Sequence, residues 1–385
     1  MRIFISTGEV SGDLQGSMLV EALYREAAAQ KLDLEIVALG GEKMKASGAK
    51  ILADTTAIGS VGLLEALPFI IPTWQIQRQT QKYLQDYLPD ILVLIDYPAS
   101  NIALASYVKK HFPQIKIIYY IAPQDWAVPM LGNAPKIVRL VDKILAIFPE
   151  EANFFQQRQV SVDWVGHPLL DRMVDAPTKE QARHLLNIQP EQQIITLLPA
   201  SRRQEIKYML PIIMQAARII QDKIPDVRFL IPVSLPAYRS AIKRAIKIHN
   251  LAATIVDRQI LTALAAADIA IAKSGTVNLE LALLNIPQVV LYRIHPVTAW
   301  LGRNILKIEI PYMSPPNLIV NREIVPELQQ EAANAENIVD LTLEIILNGD
   351  RRAKMLVDYA EMRSLLGEPG VCDRAARKII SSLWV

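Results

Sequence analysis

The chain has 385 residues, half of them apolar, and 41 Lys and Arg stand against 39 Asp and Glu. Its length calls for two domains, and its near-zero charge excludes a nucleic-acid binder that relies on a general basic surface. The single cysteine, Cys372, excludes an internal disulfide framework and a multi-cysteine zinc site, and it fits a reducing compartment.

The opening Met1-Arg-Ile-Phe-Ile-Ser6 already reads as a strand. No charged segment followed by an apolar one precedes it, so no signal peptide is visible. The first half then alternates. Strands are expected at Ile3–Ser6, Leu34–Leu39, Ile91–Ile95, Ile115–Ile121, Lys143–Phe148 and Val162–Val165, with helices over Leu14–Ala29 and near Ala134–Leu140. Residues 58–74 are apolar over nearly all of a helical wheel, with Arg78 and Lys82 following. Two readings stay open there: a buried helix pair, or an apolar surface rimmed by basic residues that dips into a membrane interface or receives acyl chains. The segment is too short and too interrupted to span a bilayer.

The polar passage from Asp171 to Glu180 reads as a linker. The alternation restarts with strands at Ile194–Leu198, Val227–Ile231, Thr254–Val256, Ile269–Ala272 and Gln288–Leu291. The tail from Ala335 onward has a helical pattern. The expectation is α/β, with two doubly wound Rossmann-like domains over residues 1–170 and 171–360 and a helical tail over 361–385.

Ligands of open α/β sheets bind beyond the carboxyl ends of the strands. Gly8-Glu-Val-Ser-Gly-Asp13 follows the first strand. It is neither a dinucleotide fingerprint nor a Walker loop. Gly8 and Gly12 allow close backbone approach, and Glu9 and Asp13 suit sugar hydroxyls rather than phosphate; the alternative is that Ser11 or Asp13 caps the helix. Asp96, ending Ile91–Ile95, is a candidate general base held rigidly and partly desolvated, with Asn101 to orient it or the substrate; the alternative is a helix cap. After Ile194–Leu198 come Ser201, Arg202, Arg203 and Glu205, where a guanidinium fork suits a diphosphate. Ser274-Gly275-Thr276 opens a helix whose backbone N–H groups and dipole suit a phosphate, and Glu280 one turn later suits ribose hydroxyls. Pro315-Pro316 is expected to fix an extended loop that presents Asn317.

In order and spacing these motifs resemble lipid-A-disaccharide synthases, a family of the GT-B glycosyltransferase fold. The resemblance implies that the two domains face across a cleft, 1–170 binding the acceptor and its lipid and 171–360 the UDP-sugar, with the tail 361–385 able to cross back to the first domain, within one chain or between two. The resemblance runs from Gly8-Glu9 with Ser11-Gly12-Asp13, through Asp96-x-Pro98 with Asn101, Gly166-His167, Leu198-Pro199 with Ser201-Arg202 and Glu205, and Ser274-Gly275-Thr276 with Glu280, to Pro316-Asn317-Leu318. It implies an inverting transfer of 2,3-diacylglucosamine from UDP to the 6-hydroxyl of 2,3-diacylglucosamine 1-phosphate. The products would be the β-1,6 disaccharide 1-phosphate and UDP. Asp96 would be the base. Glu9, Ser11, Gly12, Asp13 and Asn101 would serve the acceptor side. Ser201, Arg202, Glu205, Ser274, Gly275, Thr276, Glu280 and Asn317 would hold UDP. No cofactor and no metal are implied. The cytoplasmic protein would sit peripherally on the inner membrane, bind no nucleic acid and be open to forming a homodimer.

The chain departs from the family pattern at Val128-Pro129, at Ser100 and at Ala200. The first two lie on the acceptor side and leave acyl-chain length and acceptor identity open. Another GT-B transferase, a UDP-sugar epimerase and a non-catalytic nucleotide-sugar binder are the rival readings.

Overall fold

The computed structural model describes the chain except residues 57, 59–66, 127–131, 200–201, 234, 296–299, 301–310 and 385, and of Arg203 and Gln204 it describes the backbone only. Two compact units emerge. One comprises the chain up to Asp171, apart from 62–64, together with Leu365 onward; the other runs from Arg172 to Ser364.

The first unit is a parallel seven-stranded sheet. Its strands are β1 (Arg2–Ser6), β2 (Glu35–Gly40), β3 (Lys50–Asp54), β4 (Ile91–Ile95), β5 (Lys116–Tyr120), β6 (Lys143–Ala146) and β7 (Val162–Trp164). Their order is β3-β2-β1-β4-β5-β6-β7. The central strands are apolar along their whole length: every residue of Ile91-Leu-Val-Leu-Ile95 is buried, as a strand covered on both faces requires. Helices such as Glu9–Ala29 and Pro98–His111 cover the faces. Phe4, Leu92, Leu104, Ile117 and Ile144 share one core.

The second unit repeats the plan with β8 (Ile194–Leu198), β9 (Arg228–Pro232), β10 (Ala253–Val256), β11 (Ile269–Lys273), β12 (Gln288–Tyr292) and β13 (Glu327–Gln329). The order is β10-β9-β8-β11-β12-β13, again parallel. Both sheets are doubly wound, as the alternation of strands and helices predicts. Each reverses direction at one place: between β1 and β4 in the first, and between β8 and β11 in the second.

The last helix, Val371–Ser381, packs on Glu9–Ala29 within the first unit. Its inner stripe of Val371, Cys372, Ala375, Ala376, Ile379 and Ile380 is buried. The Asp171 carboxylate accepts the N–H groups of Gly370, Val371 and Cys372 at 2.6–3.0 Å and so caps this helix from a distant part of the sequence.

Two expectations need correction. Pro315-Pro316 do not extend a loop. They begin the helix Pro315–Val320, because a proline at the first turn forfeits no intrahelical bond. Residues 67–74 are not a buried helix pair. Leu67, Ile70, Ile71 and Trp74 are 56, 56, 67 and 56% exposed. The remainder of the 58–74 stretch, apart from Ile58, lies outside the described residues, as do Val128-Pro129 and Ser201.

Candidate functional site

At the switch point of the first sheet, Asp96 follows β4 with φ +44° and Tyr97 follows with φ +49°. Two consecutive left-handed residues bend the chain sharply before Pro98 opens the next helix. The bend is fixed from three sides. Asp96 N–H donates to the Ile121 carbonyl at 3.0 Å. Asp96 carbonyl oxygen accepts from Asn101 Nδ2 at 2.6 Å and from the buried Tyr119 hydroxyl at 2.8 Å. These bonds hold the Asp96 backbone, and the residue is exposed.

Asn101 is fully buried. Its amide donates to the carbonyls of Ser6, Ile95 and Asp96, and its Oδ1 accepts from Ser6 Oγ at 2.7 Å. Its hydrogen bonding therefore stitches the ends of β1 and β4 together. Asp13 is likewise buried. Its carboxylate accepts the N–H groups of Gly41, Lys43 and Met44 at 2.8–3.1 Å, capping the helix Glu42–Ala46. This is a cap, but of a different helix from the one expected. Glu9, at φ +64°, and Ser11 lie half-buried in the first turn of Glu9–Ala29.

The two glycines of this loop lie close against the protein's own side chains. A Cβ on Gly8 would sit 2.7 Å from the Tyr97 ring, and one on Gly12 would sit 1.9 Å from Thr7 Oγ1.

Behind Asp96 lies a carboxyl that the sequence reading missed. Glu151 is fully buried and accepts from the N–H groups of Ala122, Ile147 and Phe148 at 2.8–3.4 Å, which joins the ends of β5 and β6. Burial pushes it up to about 8, against the pull of the three amide donors. His167 is also buried. Its Nδ1 accepts the Leu169 N–H at 3.2 Å, and burial holds the ring down at about 3, so it is neutral. Glu151 does not stand out in a sequence, where a Glu after Phe-Pro-Glu reads as an exposed first-turn acid; His167 does, as part of the Gly166-His167 motif.

The second switch point gathers the cationic candidates. Arg202 precedes the helix Arg203–Tyr208. Glu205 Oε2 accepts the Arg202 N–H at 2.9 Å, and Oε1 lies 3.2 Å from Arg202 Nη1. Glu205 is buried and orients Arg202. Lys273, the last residue of β11, brings its Nζ to 3.7 Å from Glu205 Oε1. Ser274, Gly275 and Thr276 follow as a half-buried turn into the helix Thr276–Leu283. Ser274 Oγ donates to the Met313 carbonyl at 2.7 Å, and Gly275 N–H donates to Asn278 Oδ1 at 2.7 Å. Glu280 is buried and accepts from the Arg172 guanidinium, a partner the sequence reading did not single out. Asn317 is fully buried. Its amide binds the Ile324, Val325 and Glu327 groups rather than presenting itself outward.

An open groove of about 590 Å³ lies elsewhere in this unit, lined by Lys179, Arg183, His184 and Asp268. Asp268 precedes β11 and accepts the Ile194 N–H at the start of β8. The groove is thus at the amino ends of the strands, the end opposite to where open sheets place their ligands.

Comparison with known proteins covers nearly the whole chain. The profile described as lipid-A-disaccharide synthetase matches residues 3–380. A lipid-A-disaccharide synthase of Gloeothece citriformis is 57% identical, covering 99% of each chain. One from Synechocystis sp. is 54% identical, over 99% of this chain and 97% of its own. Among solved structures, a UDP-GlcNAc 2-epimerase from Neisseria meningitidis bound to UDP-GlcNAc superposes with TM-score 0.67 at 14% identity, covering all of both chains. An S. aureus MnaA–UDP structure gives 0.68 at 16%, covering 99% of this chain and 96% of that one. These two likenesses bear on fold alone. With one profile running through both doubly wound sheets and relatives identical at more than half of their positions, the chain belongs to the lipid-A-disaccharide synthetase family.

Proposed function

We propose that the chain is an inverting glycosyltransferase that moves 2,3-diacylglucosamine from UDP to the 6-hydroxyl of 2,3-diacylglucosamine 1-phosphate. The observation that carries the reading is the division of labour between the two switch points. One mounts the exposed Asp96 on a fixed bend. The other gathers Arg202, Lys273 and a helix N-terminus. A base and an anion site are what the transfer needs.

The acceptor 6-oxygen attacks the anomeric carbon of the donor sugar. The bond from that carbon to the UDP oxygen breaks on the opposite face, and UDP leaves with the bonding pair. The proton of the 6-hydroxyl passes to the Asp96 carboxylate. This is the geometry of inversion, with a sugar hydroxyl in place of water. Arg202, the N–H groups opening Thr276–Leu283 and the Ser201 hydroxyl would offset the charge of the departing diphosphate. Glu280, steadied by Arg172, would accept from ribose hydroxyls. Glu9 and Ser11 would meet the acceptor sugar. Asn101, Asp13, Glu205 and Asn317 act as supports for these groups, given their buried, protein-directed hydrogen bonds.

Diacylated substrates reside in a membrane. The exposed Leu67, Ile70, Ile71 and Trp74 stripe, with Arg78 5.0 Å over the Trp74 ring, suits docking on an anionic inner-membrane surface from the cytoplasmic side. No described helix is long and apolar enough to cross a membrane.

The test is to incubate purified protein with UDP-2,3-diacylglucosamine and the monosaccharide phosphate. Disaccharide and UDP are expected in equal amounts. UDP-sugar binding without disaccharide would overturn the acceptor assignment, and an absence of UDP-sugar binding would overturn the donor assignment.

A further inference from the structure

Ile121, the residue after β5, has φ +62°. A β-branched residue is strained in this left-handed region and stays there only where its surroundings hold it. Here they hold it on both sides. Its N–H donates to the Leu145 carbonyl at 3.4 Å, and its carbonyl accepts the Asp96 N–H at 3.0 Å. That carbonyl and the Ala122 N–H belong to one planar trans peptide unit and point to opposite sides of the chain. The Ala122 N–H donates to Glu151 Oε1 at 3.1 Å. One rigid plane is therefore tied at one end to the Glu151 carboxyl and at the other to the Asp96 backbone.

Glu151 is anchored in turn. Its Oε2 accepts the Ile147 N–H at 2.8 Å and the Phe148 N–H at 3.4 Å. The Phe148 bond caps Glu151's own helix, Pro149–Gln156. An exposed glutamate would cap that helix as well, so the cap does not explain why the carboxyl is 0% exposed, where burial costs free energy. The bond to Ala122 is different in kind. It reaches from the loop after β6 across to the loop after β5, the neighbour of the strand that ends at Asp96. We propose that Glu151 is a positioning residue of the transfer: through the Ile121–Ala122 peptide it fixes where the Asp96 backbone, and so the general base, stands. The inference rests on the reading of Asp96 as the base and adds to it the group that holds the base in place.

The experiment measures kcat and donor KM of the full chain as wild type, Glu151→Met, Asp96→Asn and the double variant. Glu151→Met keeps the length of the side chain and removes every acceptor. It is expected to lower kcat about 10–100-fold, the order set by moving a catalytic group by about 1 Å, and to leave the donor KM unchanged. In the Asp96→Asn background the same substitution should change the remaining kcat by less than about twofold, because the group it positions is already gone. A purely structural glutamate would lower kcat by the same factor in both backgrounds. Equal factors, or an unchanged kcat in Glu151→Met, overturn the positioning role and leave Asp96 standing as the base. Full activity in Asp96→Asn overturns the base, and the positioning role with it. Should the Met variant fail to fold, Glu151→Gln takes its place under the same criteria. Its amide nitrogen accepts no hydrogen bond, so whichever way it lies a backbone N–H on one side of the carboxyl loses its partner.

Discussion

Asp96 and Tyr97 occupy a backbone region that most side chains avoid, and Asp tolerates it better than a bulky or branched residue would. Asp96→Asn keeps that tolerance and removes the base. It is expected to lower kcat by about 10²–10⁴, the span usual for a lost general base. UDP affinity should stay at the wild-type value, because the proposed role of Asp96 is on the acceptor side. Full activity in this variant would remove Asp96 from the mechanism. Asn101→Ala should behave in the opposite way. It orphans the Ser6 hydroxyl and two buried carbonyls, at about 1–3 kcal/mol for each group left unpaired, read as a shift in the urea midpoint. Sequence alone does not separate these two residues. Both are polar groups at a strand end, and only the direction of the side chain decides which faces outward. Arg172 and Lys273 were missed for a related reason. Their meaning lies in Glu280 and Glu205, which are remote in the chain.

Elements were more legible than side chains, because parallel strands buried on both faces leave continuous apolar runs. The exceptions sit at sheet edges. β3, Lys50-Ile-Leu-Ala-Asp54, is half-buried and flanked by charge, and β13 is three residues long, so neither leaves such a run. The stripe Leu67, Ile70, Ile71 and Trp74 shows the converse limit. Its spacing of three and four residues is that of any helix face, and periodicity does not say whether a core or a membrane covers it. Ile71→Asp with Trp74→Asp should abolish co-sedimentation with anionic phospholipid vesicles and leave UDP binding intact. Co-sedimentation equal to wild type would remove the stripe as the docking surface. The tail offers a second element-scale prediction. Asp171→Ala deletes the cap on Val371–Ser381, which costs about 0.5–2 kcal/mol. Limited proteolysis should then cut near Gly367–Gly370 sooner than in wild type.

At the scale of the molecule, two buried groups of the first unit, Glu151 and His167, shape its response to pH in opposite ways. The folded pKa of Glu151 is raised to about 8 from 4.5, so its contribution is complete below about 4.5 and is lost as pH rises through 8. That of His167 is lowered to about 3 from 6.5, so its contribution is complete above about 6.5 and is lost as pH falls towards 3. Each slope is about 1.4 kcal/mol per pH unit, and between roughly 4.5 and 6.5 the two cancel. Their combined effect is a plateau there, with a decline on both sides. Urea unfolding followed by tryptophan fluorescence reports on this unit, since Trp74, Trp126, Trp164 and Trp384 lie within it and only Trp300 lies in the other. Differences from wild type isolate each group from the remaining carboxylates. Glu151→Gln should flatten the fall between pH 6.5 and 8 and leave the acid limb unchanged. His167→Gln, whose side-chain oxygen can still accept the Leu169 N–H, should flatten the acid limb and leave the alkaline one. A Glu151→Gln curve parallel to wild type from pH 6.5 to 8 would mean that the three amide donors outweigh burial and that the carboxylate is already ionised in the folded state at the lower pH.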